Sequence, residues 1–334
     1  MKWIANEGDE RDVVVSSRVR LARNLKEWYF PSRMTPLQGS EVYEKIVNSA
    51  NYGETNAFKM KDIPKIEQHM LVEKHVISPT LLMNQEISGF IMNKDETETI
   101  MINEEDHIRI QVLTAGLSLQ QSYLKANQID DFLESHLNYA FDEKLGFLTA
   151  CPTNLGTGLR ASVMLHLPAL EMTKEINQLI TMLNQFGLAV RGVYGEGTKA
   201  LGSLYQLSNQ STLGDKEEGI VQKIEQLCRQ IAAKEKDSRK KLLENNGVYF
   251  EDKIYRAYGL LKHTRTISAE EAVKLISLVK LGINLGLIEN NTIELMDQLF
   301  VQIQPANIQY LSRQEMTSDE RDVKRAQILR ERIK

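Results

Sequence analysis

Cys151-Pro152-Thr153-Asn154-Leu155-Gly156-Thr157-Gly158-Leu159-Arg160 leads straight into Ala161-Ser162-Val163-Met164-Leu165-His166-Leu167. A lone cysteine, a proline break, a polar turn, two glycines and an arginine thus occupy one loop before a strand-like run. Glycine lets backbone amides come close to an anion, and arginine meets phosphate oxygens with a planar fork. A thiol beside such cations would have a depressed pKa and sit as a thiolate. The stretch reads as an anion-handling loop at a sheet edge; alone, it reads equally as a tight turn between two strands.

The rest of the 334 residues sets bounds. Apolar residues make up 42% and charged residues 26%, an ordinary soluble composition with length for about two domains. A net charge of -4 offers no basic field for nucleic acid. No apolar run reaches the roughly 18–20 residues of a membrane span, and the acidic start, Met1 to Glu10, lacks a signal peptide's apolar stretch. The two cysteines, Cys151 and Cys228, have no paired spacing, which fits a reducing cytoplasm and excludes a disulfide framework or cysteine zinc site. The six histidines are scattered, against a histidine metal site.

Strands are expected at Asp12–Arg20, Gln68–Val72, Ile87–Met92, Glu98–Ile102, Phe147–Ala150, Ala161–Leu167, Gly187–Tyr194 and Ser203–Leu207. Helical periodicity marks Glu41–Asn51, Gln111–Asn127, Ile129–Lys144 and Met172–Phe186. Short connections between successive strands predict a largely antiparallel sheet flanked by helices, an α+β arrangement. From about Glu217 the strands stop. Glu218–Glu244, Val248–Leu261, Ala269–Leu285, Thr292–Ile303, Pro305–Leu311 and Ser318–Lys334 read as an all-helical C-terminal domain. The boundary falls between 210 and 245, giving domains 1–225 and 226–334. Ser268-Ala269-Glu270-Glu271 outlines a capping box. Leu275, Leu278, Val279 and Leu285 are expected in the core or at a dimer interface.

Three further segments carry charge. In Ser16-Ser17-Arg18-Val19-Arg20, strand alternation puts both arginines on one face, where an anion such as a polyphosphate would relieve their repulsion. Asn103-Glu104-Glu105-Asp106-His107-Ile108-Arg109 is read as a helix start, with carboxylates favoured by the dipole and Arg109 a turn further on. Arg191-Gly192-Val193-Tyr194-Gly195-Glu196-Gly197 adds an arginine and a carboxylate among glycines. Each segment alone also has a bland reading: a solvated face, helix-start chemistry or a glycine-rich hairpin.

Together and in this order, NEEDH-x-R, CPTNLG-T-G-x-R, SSRVR and RG-x-x-GE resemble the phosphagen kinase superfamily, which includes the creatine and arginine kinases. The resemblance spans residues from about 13 to 215. It implies an ATP:guanido phosphotransferase. By that analogy Arg18, Arg20, Arg109, Arg160 and Arg191 clamp the phosphates of ATP, with Ser17, Glu104, Asp106, Asn154 and Gly156 in the nucleotide site. Mg²⁺ is held by nucleotide oxygens and water, without a direct protein ligand. Phosphoryl transfer needs positioning and charge neutralisation, which fixed guanidinium groups supply. Glu105 and Glu196 match the carboxylates that grip the acceptor guanidinium, with Glu105 as base. Cys151 matches the thiol that touches the acceptor.

Two departures stand out. Met164 takes the place of a histidine near the nucleotide, and His166, two residues on, is a doubtful substitute. The arginine pair comes at residue 18, without the preceding helical domain of the small-substrate kinases, and a helical domain follows instead. That architecture is similar to the bacterial protein arginine kinases, and Arg321-Asp322-Val323-Lys324-Arg325-Ala326 matches their RD-x-x-RA tail, a phosphoarginine-sensing site. There Arg321 and Arg325, four apart on a helix, would chelate phosphate while Asp322 takes the guanidinium. The resemblance implies a cytoplasmic homodimer that phosphorylates exposed arginines on proteins. It also implies a small zinc-binding activator, delivery of clients to a Clp ATPase/protease, and a part in stress response, with no nucleic acid or membrane partner. The alternatives are a small-molecule guanidino kinase and a non-catalytic phosphoarginine-binding adaptor.

Overall fold

The computed structural model describes residues 2–5, 8–193 and 200–334, with Asn246 described by its backbone alone. Its strands are β1 (Val14–Arg23), β2 (Thr55–Lys59), β3 (Gly89–Asn93), β4 (Glu98–Ile102), β5 (Ile108–Ala115), β6 (Phe141–Asp142), β7 (Gly146–Phe147), β8 (Leu159–His166), β9 (Leu188–Gly192) and β10 (Leu204–Asn209). Its helices are α1 (Pro36–Ser49), α2 (Lys65–Glu73), α3 (Leu119–Glu134), α4 (Pro168–Met172), α5 (Ile176–Gln185), α6 (Glu217–His263), α7 (Ala269–Asn284), α8 (Ile293–Gln302), α9 (Pro305–Ser312) and α10 (Ser318–Arg332). Among the described residues, eight strands hydrogen-bond in the order β2-β3-β4-β5-β1-β8-β10-β9, and β6 pairs with β7 apart from them. The ladders β2–β3, β3–β4, β4–β5 and β1–β5 are antiparallel, as an α+β fold with hairpin connections requires.

The structure corrects several expected elements. Residues 111–127 are not one helix: β5 ends at Ala115, Gly116 takes φ +63°, and α3 begins at Leu119. β5 lies between β4 and β1 and is buried on both faces; Ile108, Ile110 and Val112 alternate with Arg109 and Gln111, but the Val112-Leu113 pair breaks that period. The segment 68–72 belongs to α2, where buried Gln68 donates to the carbonyls of Met60 and Ile63 at 2.9 Å. Beyond Glu134 the chain leaves the helix and forms the β6–β7 hairpin. The helix expected at 172–186 is divided at Lys174, which has φ +62°. Strand β2, half-exposed beside β3, went unmarked by any apolar pattern.

By compactness the chain forms two units. The first is built on Ser16–Val163 and Ser208–Gln226. Here α1 starts with a complete capping box between Thr35 and Gln38 and with Pro36 in its first turn, and it buries Val42, Tyr43 and Ile46. Helix α3 lies against β5. Buried Arg23 links three elements: it pairs with Asp130 of α3 at 2.5 Å, donates to Thr157 O at 2.8 Å, and stacks 3.6 Å from the centre of the Phe147 ring. Removing one partner of such a buried pair typically costs about 3–5 kcal/mol.

The second unit is built on Met164–Leu207, Leu227–Lys334 and the N-terminal stretch ending at Val15. Phe250, Ile254, Ala257 and Leu261 put one apolar stripe of α6 into a core with Ile276 and Val279 of α7, Met296, Leu299 and Phe300 of α8, and Ala326 and Leu329 of α10. That stripe explains why α6 continues through Gly247, where the sequence suggests two helices. Val279 is buried in this core, and Leu275, Leu278 and Leu285 pack against it. Ser268 caps α7 by accepting the Glu271 N–H, and Thr317 with Glu320 forms a full capping box for α10. Lys280 and Asp297 form a wholly buried ion pair joined by Arg11 at 3.3 Å.

Candidate active site

The first unit gathers the charge-bearing motifs. In β1 the burial alternates, leaving Arg18 and Arg20 half-buried on one face while Ser17, Val19 and Leu21 are buried. Ser17 therefore does not join the arginines. Its hydroxyl donates to Gly116 O at 2.8 Å and accepts the Ser118 N–H at 3.0 Å, tying β1 to the start of α3. Arg109 is the second residue of β5, and Arg160 the second of β8. Register sets Ala22 opposite Arg109 and Arg20 opposite Gln111, whose side-chain oxygen accepts from Arg20 Nε at 2.8 Å. Arg18 Nε reaches Ser162 Oγ at 3.3 Å, and Arg160 reaches Ser208 Oγ at 3.3 Å.

These four guanidinium groups feel one another. Burial, then Arg109 and Arg160, lowers the pKa of Arg18 to about 10. Burial, then Arg18 and Arg109, holds Arg20 well below its ordinary value, with Glu104 opposing. His75, which the sequence reading passed over, lies in the same field. Its backbone is left-handed at φ +60°, and burial, then Arg18 and Arg20, lowers its pKa to about 3, so its ring is neutral. Like charges pressed together in this way are stabilised by an anion with several oxygens.

The NEEDH stretch is a hairpin turn between β4 and β5 and not the expected helix start. Asn103 takes φ +55° and donates its N–H to His107 O at 3.0 Å, closing the turn. Glu104 is buried, hydrogen-bonded to Ser78 Oγ and ion-paired with Arg109, so its role is to aim that arginine. Asp106 is buried too: its Oδ1 accepts from Asn24 Nδ2 at 2.6 Å and from Ala150 N–H at 2.7 Å. Burial raises its pKa against those two donors. His107 accepts the Leu25 N–H on Nδ1 at 3.0 Å, and its Nε2 donates to Tyr29 O at 2.8 Å, while burial lowers its pKa to about 4. Glu105 alone of the three acids is exposed at the tip.

Cys151 is half-buried at the head of a short 3₁₀ turn, with Sγ 3.0 Å from Thr153 Oγ1. Asn154 is buried in that turn and donates its N–H to Cys151 O at 3.0 Å. The glycines serve chain packing more than anion approach. Gly156 has φ +111°, and a Cβ there would come within 2.9 Å of the backbone at Thr212 and Leu213. Gly158 has φ +68°, and its Cβ would meet Ala22 O at 2.6 Å.

In the second unit Arg191 is exposed on β9, and Met164 packs against the helical core. His166 is buried there, with Nε2 2.8 Å from Ser277 Oγ, so it is no substitute for a nucleotide-facing histidine. Glu196 lies outside the described residues. In the tail, Arg325 does not stand open beside Arg321. It is buried, donates to Ile303 O and Ile267 O at 2.8 Å, and takes Asp322 as its own partner, stapling α10 to its neighbours. Arg321 donates to Met316 O at 2.7 Å.

An antiparallel sheet presenting converging arginines beside an acidic hairpin and a thiol loop defines a guanidino phosphotransferase. Residues 39–238 match the family model of the ATP:guanido phosphotransferase C-terminal catalytic domain, and residues 248–334 match the protein-arginine kinase McsB C-terminal domain. Curated protein-arginine kinases of Geobacillus thermodenitrificans and Geobacillus stearothermophilus are 44% and 45% identical over 99% of this chain and 93% of theirs. Among solved structures, the duplicated taurocyamine kinase of Schistosoma mansoni superposes with a TM-score of 0.62 and 28% identity. The match covers 73% of this chain and 37% of that one. A lombricine kinase gives 0.60 and 25%, covering 71% and 68%. The chain belongs to the protein-arginine kinase family of ATP:guanido phosphotransferases.

Proposed function

We propose that this protein transfers the γ-phosphoryl group of ATP to the guanidinium of arginine side chains in proteins. The observation that carries the reading is the convergence of Arg18, Arg20, Arg109 and Arg160 in one mutually repelling cluster. Phosphate oxygens would fill the middle of it, and fixed donors would stabilise the charge that spreads over the transferred group. Neutral His75 adds a hydrogen-bonding ring without further positive charge. Glu105 pairs with the acceptor's N–H groups, aims the reacting nitrogen and takes its proton, with Glu196 as second carboxylate. Cys151 contacts the acceptor, and Arg191 adds a fifth phosphate contact. Mg²⁺, if bound with the nucleotide, would neutralise phosphate charge. Both oxygens of Glu104 and Oδ1 of Asp106 are engaged by Ser78, Arg109, Asn24 and Ala150, which suits a metal held through nucleotide and water.

The protein-arginine acceptor follows from the relatives' names and the matched C-terminal domain. On the same grounds of resemblance, residues 1–225 act as the catalytic domain, and 226–334 serve dimerisation and phosphoarginine sensing through Arg321, Asp322 and Arg325. The protein works in the cytoplasm during stress, with a small zinc-binding activator, and its clients pass to a Clp ATPase/protease. No helix among the described residues is long and apolar enough to cross a membrane. The taurocyamine and lombricine kinases favour a second reading, a small guanidino acceptor.

Incubation with ATP-Mg²⁺ and an arginine-rich protein, with free arginine in parallel, separates the two readings. Acid-labile phosphate on protein arginine, seen by mass spectrometry, is the expected result; efficient modification of free arginine alone overturns it. Glu105→Gln should abolish transfer while ATP still binds.

A further inference from the structure

Glu105 and Cys151 lie on separate loops, yet one hydrogen bond stands next to both. Asp106, the residue after Glu105, accepts the N–H of Ala150, the residue before Cys151, at 2.7 Å. Each group is therefore about 3.8 Å, Cα to Cα, from an end of that bond. What holds Asp106 is Asn24, just past the end of β1 and wholly buried. Its Nδ2 donates to Asp106 Oδ1 at 2.6 Å and to Leu148 O at 3.0 Å, and its Oδ1 accepts the His107 N–H at 2.9 Å. One amide thus grips the hairpin at two consecutive residues and the thiol loop three residues before Cys151. Arg18 and Arg20 stand on the same strand, so the phosphate and acceptor halves share one rigid base.

We propose that Asn24 is the positioning residue that locks the Glu105 hairpin to the Cys151 loop and so fixes the acceptor side of the site against the phosphate side. The inference rests on Glu105 and Cys151 meeting the acceptor. Asparagine suits the task because it presents a donor to a carboxylate and an acceptor to an amide N–H at once. Aspartate would set a second carboxylate against Asp106, and leucine would take this partner from Leu148 O and the His107 N–H and leave Asp106 Oδ1 with Ala150 alone.

The test compares Asn24→Ala, the milder Asn24→Ser, Asn24→Asp, and the exchange Asn24→Asp/Asp106→Asn. The exchange reverses the polarity of the central bond while keeping acceptors for the N–H groups of His107 and Ala150. A displacement of about 1 Å costs roughly a hundredfold in rate. So kcat should fall by about that factor in Asn24→Asp, with KM for ATP within threefold, and the exchange should recover tenfold or more. Alkylation of native Cys151 by iodoacetamide should change at least threefold in Asn24→Ala or Asn24→Ser and return in the exchange; buried Cys228 serves as the silent internal thiol. Unchanged thiol reactivity and kcat in the folded single variants overturn the proposal. So does a loss of kcat matched by an equal weakening of ATP binding with no recovery in the exchange. The alkylation arm needs no phosphotransfer, so it still judges Asn24 if the kinase reading fails.

Discussion

Arg18→Met should make the protein more stable in the absence of nucleotide while destroying the proposed polyphosphate site. The guanidinium of Arg18 is held down by burial and by Arg109 and Arg160, from its ordinary value to about 10. At roughly 1.36 kcal/mol per pH unit, that fall corresponds to about 3 kcal/mol of strain carried by the charged form at neutral pH. The sign is clear: a base with a lowered folded pKa burdens the fold at every pH below about 10, and the burden fades only as pH rises from there toward the ordinary arginine value. Methionine keeps much of the stem and removes the charge. It also removes the 3.3 Å bond to Ser162, a charged hydrogen bond worth about 1.5 kcal/mol at such length. The net gain is about 1–2 kcal/mol, or roughly 2–8 °C in the thermal midpoint. Differential scanning fluorimetry with and without pyrophosphate reads both halves of the argument. Wild type should rise by the equivalent of about 2.7 kcal/mol at a hundred times the dissociation constant, and the variant should rise far less. A variant with a lower midpoint than wild type, still stabilised equally by pyrophosphate, refutes the picture of a mutually repelling arginine cluster that takes a polyphosphate.

Gly158→Ala should cost more than about 1 kcal/mol in chemical denaturation, because φ +68° and a 2.6 Å approach to Ala22 O leave no room for Cβ. Acid should weaken the fold between pH 6.5 and about 4. His107 binds its proton only below about 4 when folded but near 6.5 when unfolded, so about 3 kcal/mol is lost on the way down. Urea titrations across that range should be flatter in His107→Gln. Arg325→Ala should lower stability by about 3 kcal/mol, since it frees the buried carbonyls of Ile303 and Ile267. Arg321→Ala, which loses one bond to Met316 O, should cost under about 1 kcal/mol; equal costs at the two positions would show that Arg325 is no staple.

The arginines were legible because period-two alternation and strand-end position follow from local sequence: Arg18 and Arg20 do share a face. β5 was not: Ile108 to Val112 does alternate, but the acidic run just before it reads as a helix start, and the Val112-Leu113 pair breaks the period in a strand buried on both sides. The roles of Glu104 and Asp106 were hidden for a different reason. Their partners Ser78, Asn24 and Ala150 lie 26, 82 and 44 residues away, and no pattern in a single chain announces such pairs. Arg325 was legible only in part: four-residue spacing sets it beside Arg321, but nothing local announces that its guanidinium also donates to the carbonyls of Ile267 and Ile303.

The pairing of β1 with β5 sets Arg18 against Leu113 and Arg20 against Gln111. A slip by one residue would turn both guanidinium groups into the apolar layer and push Val19 and Leu21 out of it. Buried unpaired charge is far costlier than a lost apolar contact, so the misaligned sheet would be rejected as it formed. The two arginines proposed to grip phosphate therefore also help to proofread the alignment of the sheet as it folds.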